Sequence, residues 1–183
     1  MAESTRSDAR RNRDTLLAMA AEAFTRNDGP VSLEGIARAA GVGIGTLYRH
    51  FPSREALVEA VYRAELAEVS AAAQAMIDEH PPVEALRHWM NRYAEFVAAK
   101  KGMAESLRMI LATGTIEPSD SRVSIVTAME TLLRAGAADG SLRHDLEADD
   151  VVTSLLGILL TSSSTLQAQR LIDLLIDGVT TRR

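Results

Sequence analysis

Within five residues, Thr46 to His50, the chain places two hydroxyls, a guanidinium and an imidazole. Thr46, Tyr48, Arg49 and His50 are hydrogen-bonding groups of graded reach, suited to phosphate oxygens and base edges rather than to making or breaking bonds. Catalysis finds little support elsewhere: there is no nucleophile motif, no His-x-x-x-His pair and no concentrated set of carboxylates. Glu84 and His88 have the i, i+4 spacing of a shared metal site, but without a third ligand they read as a helix-surface pair. No metal and no cofactor are expected.

The elements that carry these donors are short. Ser32 is a good N-cap for a helix over Leu33 to Ala40, with Ile36, Ala37 and Ala40 on one face. Gly41-Val42-Gly43 supplies a tight turn, and Ile44 to His50 forms a second short helix that Pro52 prevents from extending. Two such helices make a helix-turn-helix, about Ser32 to Phe51, whose second helix enters a major groove while the first crosses the backbone. Ala37 is small where the helices approach, and Val42 and Leu47 are apolar where the second helix is pinned to a core. The Ile44 to Leu47 amides lie at a helix N-terminus, where they can meet phosphate.

The wider run resembles the TetR family of transcriptional regulators over about residues 9 to 63. The resemblance rests on a first helix ending in A-F, then V-S-L-E-G-I-A-R-A-A-G-V, then T-L-Y-R-H-F-P-S-R-E-A-L-V-E-A-V, in the family's order and spacing. It implies an all-α protein of about nine helices: a three-helix DNA-binding unit over 1–63 and a helical domain over 64–183 that dimerises and holds an effector. It also implies that Thr46, Tyr48 and His50 contact backbone or groove, that Arg49 faces the groove, and that Gly45 permits close approach. Arg54 resembles the basic residue that opens the fourth helix and reaches phosphate. One departure is Gly43, where many members place Ser or Thr as the cap of the recognition helix. A glycine cap there costs little but removes a hydroxyl. The function implied is that of a dimeric, sequence-specific regulator, a repressor released from a palindromic double-stranded DNA operator by a small molecule, in the bacterial cytoplasm at the nucleoid.

Composition agrees with the fold class. Of 183 residues, 46% are hydrophobic and 25% charged, close to the globular average, so a largely disordered chain is unexpected. Aromatics make up only 4%, which leaves the usual strand formers thin and predicts an all-α chain. With no Cys there is no disulfide, no thiolate zinc site and no cysteine nucleophile. No run of about 18 apolar residues occurs and the start of the chain is polar and Arg-rich, so neither a membrane span nor a secretory signal is expected and a soluble, intracellular protein is. The net charge of −5 taken alone disfavours a polyanionic partner. Divided at Arg63, however, the first part carries nine Lys/Arg against eight Asp/Glu and the remainder eleven against seventeen. The acidity belongs to the second part, while Arg6, Arg10, Arg11 and Arg13 crowd the start as either a phosphate-contacting arm or a solvated face.

Apolar periodicity predicts further helices: one from about Ala9 to Arg26, one after Ser53 to about Glu79, and one after Pro82 that ends at Gly102. Short runs follow through Leu107, Met109 and Ile110, and after Pro118 to near Ala138, with a turn at Asp139-Gly140. Trp89, Tyr93 and Phe96 share one face and, with Met109, read either as ordinary core or as the lining of an apolar effector pocket. The last two segments, Val151 to Leu160 and Leu166 to Val179, are too apolar for one buried stripe. A two-fold dimer through Leu155, Leu159, Leu171 and Leu175 is the expectation there, against a purely intrachain core.

Overall fold

A computed structural model of the chain describes residues 2–26, 31–112 and 118–181, and among these the regular structure is helical apart from one isolated bridge, Leu142 to Thr180. Asn27-Asp28-Gly29-Pro30, whose sequence stops the first helix, and Thr113-Gly114-Thr115, into which the run through Ile110 fades, lie outside the described residues. The chain packs as two compact units, Met1–Glu65 with Ala98–Glu117, and Leu66–Val97 with Pro118–Arg183.

The first unit contains α1 (Ala2–Arg26), α2 (Leu33–Ala39), α3 (Ile44–His50), the opening turns of α4 (Arg54–Glu79), the end of α5 (Pro82–Gly102) and α6 (Ala104–Ala112). α1 starts at Ala2 rather than near Ala9, because apolar periodicity marks only the part of a helix that is buried. Leu16, Ala20 and Phe24, spaced i, i+4, i+8, are fully buried. They pack in a core with Ile36 and Ala37 of α2, Leu47 of α3, and Leu57, Val58 and Val61 of α4. Residues 98–112 join this unit although they lie far along the chain. Their entry is marked by Gly102: a methyl group there would overlap the Phe24 carbonyl oxygen and sit 2.9 Å from its carbonyl carbon, so α5 meets α1 with no room for a side chain. Beside it, Lys100 holds its ammonium 5.6 Å from the centre of the Tyr62 ring, and burial pulls its pKa below the ordinary lysine value.

The second unit contains the C-terminal turns of α4, most of α5, α7 (Pro118–Asp139), α8 (Ala148–Thr161) and α9 (Thr165–Val179). Trp89 is fully buried, its indole Nε1 donates to the Val69 carbonyl of α4 at 2.9 Å, and its ring stacks on Tyr93 at a centroid distance of 5.5 Å and 4°. α7 packs on α8, and α8 on α9, through Met129, Leu132, Val152, Leu155 and Ile172. The expected turn after α7 is present: Gly140 takes φ +77°, and Ser141 donates its amide to the Asp139 carboxylate at 2.9 Å. Hydrogen bonding by Ser141 holds the Asp139 carboxyl below its ordinary pKa. Arg122 of α7 pairs with Asp149 at 2.7 Å and donates to the Thr153 hydroxyl at 2.7 Å, and Arg92 of α5 pairs with Glu68 of α4 at 2.8 Å. Exposed pairs of this kind add at most about 1 kcal/mol each, so the unit rests on its apolar core.

Candidate nucleic-acid interface

α2 and α3 are built by local chemistry that can be followed residue by residue. Ser32 caps α2 by accepting the Gly35 amide on its hydroxyl at 3.0 Å. At the other end, Gly41 adopts φ +69°, its amide donates to the Arg38 carbonyl at 3.1 Å, and the Val42 amide donates to Ala37 at 3.0 Å. The left-handed residue turns the chain without strain because it has no Cβ. Gly43 caps α3 through backbone geometry alone: it is extended, makes no side-chain bond, and its carbonyl accepts from the Thr46 amide at 2.8 Å.

A helix of seven residues does not stand alone in water, so tertiary anchors must hold it. Leu47 is fully buried, and Phe51, whose amide closes the helix on the Leu47 carbonyl at 2.8 Å, is nearly so. Tyr48 is 47% exposed, and Gly45 and Arg49 also lie on the exposed surface; Thr46 and His50 are half-buried at its margins. A methyl group on Gly45 would meet nothing within 4 Å, so nothing within the described protein requires a glycine there.

Arg54 stands apart from this face. Its Nη1 donates to the Val31 carbonyl at 2.7 Å and its guanidinium lies 5.8 Å from the centre of the Phe24 ring, tying the start of α4 to the segment before α2. Ser53 caps α4 by accepting the Ala56 amide at 3.1 Å. Among the crowded N-terminal arginines, Arg13 has a position that spacing did not single out: its guanidinium lies 5.3 Å from the centre of the Phe51 ring. Arg11 is paired with Asp8, one turn away.

The remaining expected residues fall in different surroundings. Trp89, Tyr93 and Phe96 are all buried in the second unit, whereas Met109 on α6 is half exposed and belongs to the first. On α8, Leu155 and Leu159 are buried; on α9, Leu171 and Leu175 are half-buried. The most exposed leucines of these two helices are Leu160, Leu166 and Leu174, at 56%, 65% and 64% exposure, and none of them is among the four named for the dimer from the sequence. The rings of His80 and His88 lie 4.6 Å apart, tilted by 36°, and no group of three or more metal-ligating side chains is assembled among the described residues.

An anchored two-turn helix with donors on its open face, joined to a preceding helix by a glycine turn, defines a helix-turn-helix DNA-binding regulator. The chain belongs to the TetR family. The family model for bacterial regulatory proteins of the tetR family matches residues 16–61, and that for the SbtR-like transcriptional regulator C-terminal domain matches residues 81–181. The chain is 31% identical over 159 residues to the HTH-type transcriptional repressor KstR2 of Mycolicibacterium smegmatis, covering 81% of this chain and 76% of that protein. It superposes on the TetR transcriptional regulator SCO0520 from Streptomyces coelicolor with a TM-score of 0.85 and 45% identity, over 93% of this chain and 99% of that one. A TetR transcription regulatory protein from Mycobacterium vanbaalenii matches with a TM-score of 0.75 and 27% identity, over 97% and 99% of the two chains. Among the described residues, no helix is long and apolar enough to cross a membrane.

Proposed function

We propose that the chain acts as a homodimeric repressor whose two α3 helices read half-sites of a palindromic operator and which a small-molecule effector releases. The observation that carries the reading is the division of labour on α3, with Leu47 and Phe51 inward and Gly45, Tyr48 and Arg49 outward. A glycine inside a helix costs about 1 kcal/mol relative to Ala. Its presence at an open position is accounted for by an external surface that approaches closely, as a groove wall does. Thr46 and His50 flank the contact, and Arg54 supports it by tying the start of α4 to the segment before α2. Repression, rather than activation, is supported by the name of the Mycolicibacterium relative.

In electrophoretic shifts with the protein's own promoter region, Arg49→Ala and Tyr48→Ala are each expected to weaken operator binding by about 1–3 kcal/mol if they meet base edges, with thermal stability unchanged. Full operator affinity in both variants would sink the reading and favour a helical adaptor that keeps an unused DNA motif.

The dimer is assigned to α8 and α9. Gln167, Leu171, Leu174 and Gly178 follow i, i+4, i+7, i+11 on α9, and Leu175 flanks them; all are half-buried or exposed in the isolated chain. Leu160 extends the exposed apolar surface on α8, with Leu155 and Leu159 as the packing beneath. Two copies related by a two-fold would set the recognition helices about 34–36 Å apart, one turn of the duplex. Leu174→Glu should weaken self-association by about 2 kcal/mol, because each copy would bury a carboxylate at the seam. Sedimentation velocity reads this directly, and an undiminished dimer would remove α9 from the interface.

The effector is assigned to the aromatic side of α5, where Trp89, Tyr93 and Phe96 are buried together in a chain that is otherwise poor in rings, so that binding there opens part of this core. An effector acts only through unequal affinity for the DNA-competent and DNA-incompetent states. α4 and α5 each contribute residues to both compact units, which gives such a preference a covalent route toward α3.

A further inference from the structure

The first unit contains a cleft of about 490 Å³ that shares His50 with the proposed DNA-facing surface. Its rim carries Arg13 of α1, Arg63 of α4 and the His50 ring at the end of α3. Its floor is a ladder of small residues one turn apart on α4, Ala56, Ala60 and Ala64, all half-buried, with Leu17 and Phe51 as apolar walls. The carboxylate lining it is Glu59, and Glu59 is paired with Arg63 at 2.9 Å. The Arg13 guanidinium lies over the Phe51 ring, a contact that orders a cation without neutralising it.

The size falls within the range of small-molecule pockets, about 300–1,000 Å³. The lining sets the chemistry of an occupant. With Glu59 and Arg63 paired to each other, the Arg13 guanidinium is the charge the lining leaves over; it asks for one negative charge, and its planar fork matches a carboxylate in two parallel hydrogen bonds. The alanine ladder, Leu17 and Phe51 ask for an apolar body several carbons long. A polyanion such as a phosphodiester satisfies the first demand and leaves the second unmet. We infer that this cleft is a second ligand site, inside the DNA-binding unit, for an amphiphilic monocarboxylate whose head meets Arg13 and whose chain lies along Ala56, Ala60 and Ala64. The site is separate from the effector surface on α5. Because His50 ends the recognition helix, its occupant touches α1, α3 and α4 at once.

The test is isothermal titration of the full chain with octanoate, its neutral isostere octanamide, and inorganic phosphate. Octanoate is expected to bind, with octanamide and phosphate each at least about tenfold weaker, since a charge-assisted hydrogen bond and the apolar burial are each worth that much. Arg13→Gln should weaken octanoate about tenfold. Ala60→Leu, which fills the floor, should abolish binding while circular dichroism confirms the helical fold. In the unaltered chain, nuclear Overhauser contacts should connect the octanoate methylenes to the Phe51 ring, a reading that holds even if Ala60→Leu fails to fold. Equal binding of octanoate and octanamide, octanoate affinity unchanged in Arg13→Gln, or absence of the Phe51 contacts would each overturn the proposal. Operator binding and the α5 effector surface are assayed separately, so failure here leaves the repressor reading standing.

Discussion

Trp89→Ala is expected to lower the stability of the second unit by about 3–5 kcal/mol, the cost of removing the largest core side chain and leaving a cavity. Two contacts raise the effect within that range: the stack on Tyr93, worth about 0.5–1.5 kcal/mol beyond burial, and the indole bond to Val69. Trp89→Phe keeps a ring against Tyr93 and gives up the indole bond, worth about 1 kcal/mol, along with part of the burial, so it should fall between the two. Urea unfolding followed by circular dichroism measures all three proteins on one scale. A loss below about 1 kcal/mol for the alanine variant would mean that the ring fills no space the core needs. The aromatic face of α5 would then be an open wall.

Gly102→Ala should destabilise by about 3 kcal/mol, at the upper end for an inserted carbon, because the atom it meets is a backbone carbonyl that cannot swing aside. The sign is the informative part. Glycine to alanine within a helix ordinarily gains up to about 1 kcal/mol, and Gly45→Ala, whose methyl would meet nothing, should show some of that gain. Thermal melts of the two variants are therefore expected to move in opposite directions. A stabilised Gly102→Ala protein would require α1 and α5 to be further apart than they are here.

These two glycines also show what sequence alone conveys. Both look like ordinary helix residues, and Gly102 reads as the end of α5, which it is. That it touches Phe24, seventy-odd residues away, has no local signature, and with it goes the packing of residues 98–112 into the first unit. Features fixed within a few residues were legible: the Ser32 cap, the left-handed Gly41, the bounds of α3 and the Asp139-Gly140 turn. Periodicity marked α8 and α9 as apolar on more than one side. It could not tell Leu155, which is buried in its own chain, from Leu174, which is not, because a helix repeats its apolar residues on both faces at the same spacing. Arg54 shows the same limit for charge. Its type suits phosphate, and only the fold reveals the Val31 carbonyl it serves.

The split of α3 into anchoring and outward residues has an evolutionary consequence. Leu47 and Phe51 hold the helix in place whatever the open positions carry, since Gly45, Tyr48 and Arg49 contribute little to the core. Substitutions at those three sites are nearly neutral for folding, so they can accumulate without chaperone or proteolytic penalty. On the proposed reading, in which these three positions face the operator, descendants of this chain are free to drift to new target sequences while inheriting the same scaffold, and binding preference and robustness become separately heritable traits.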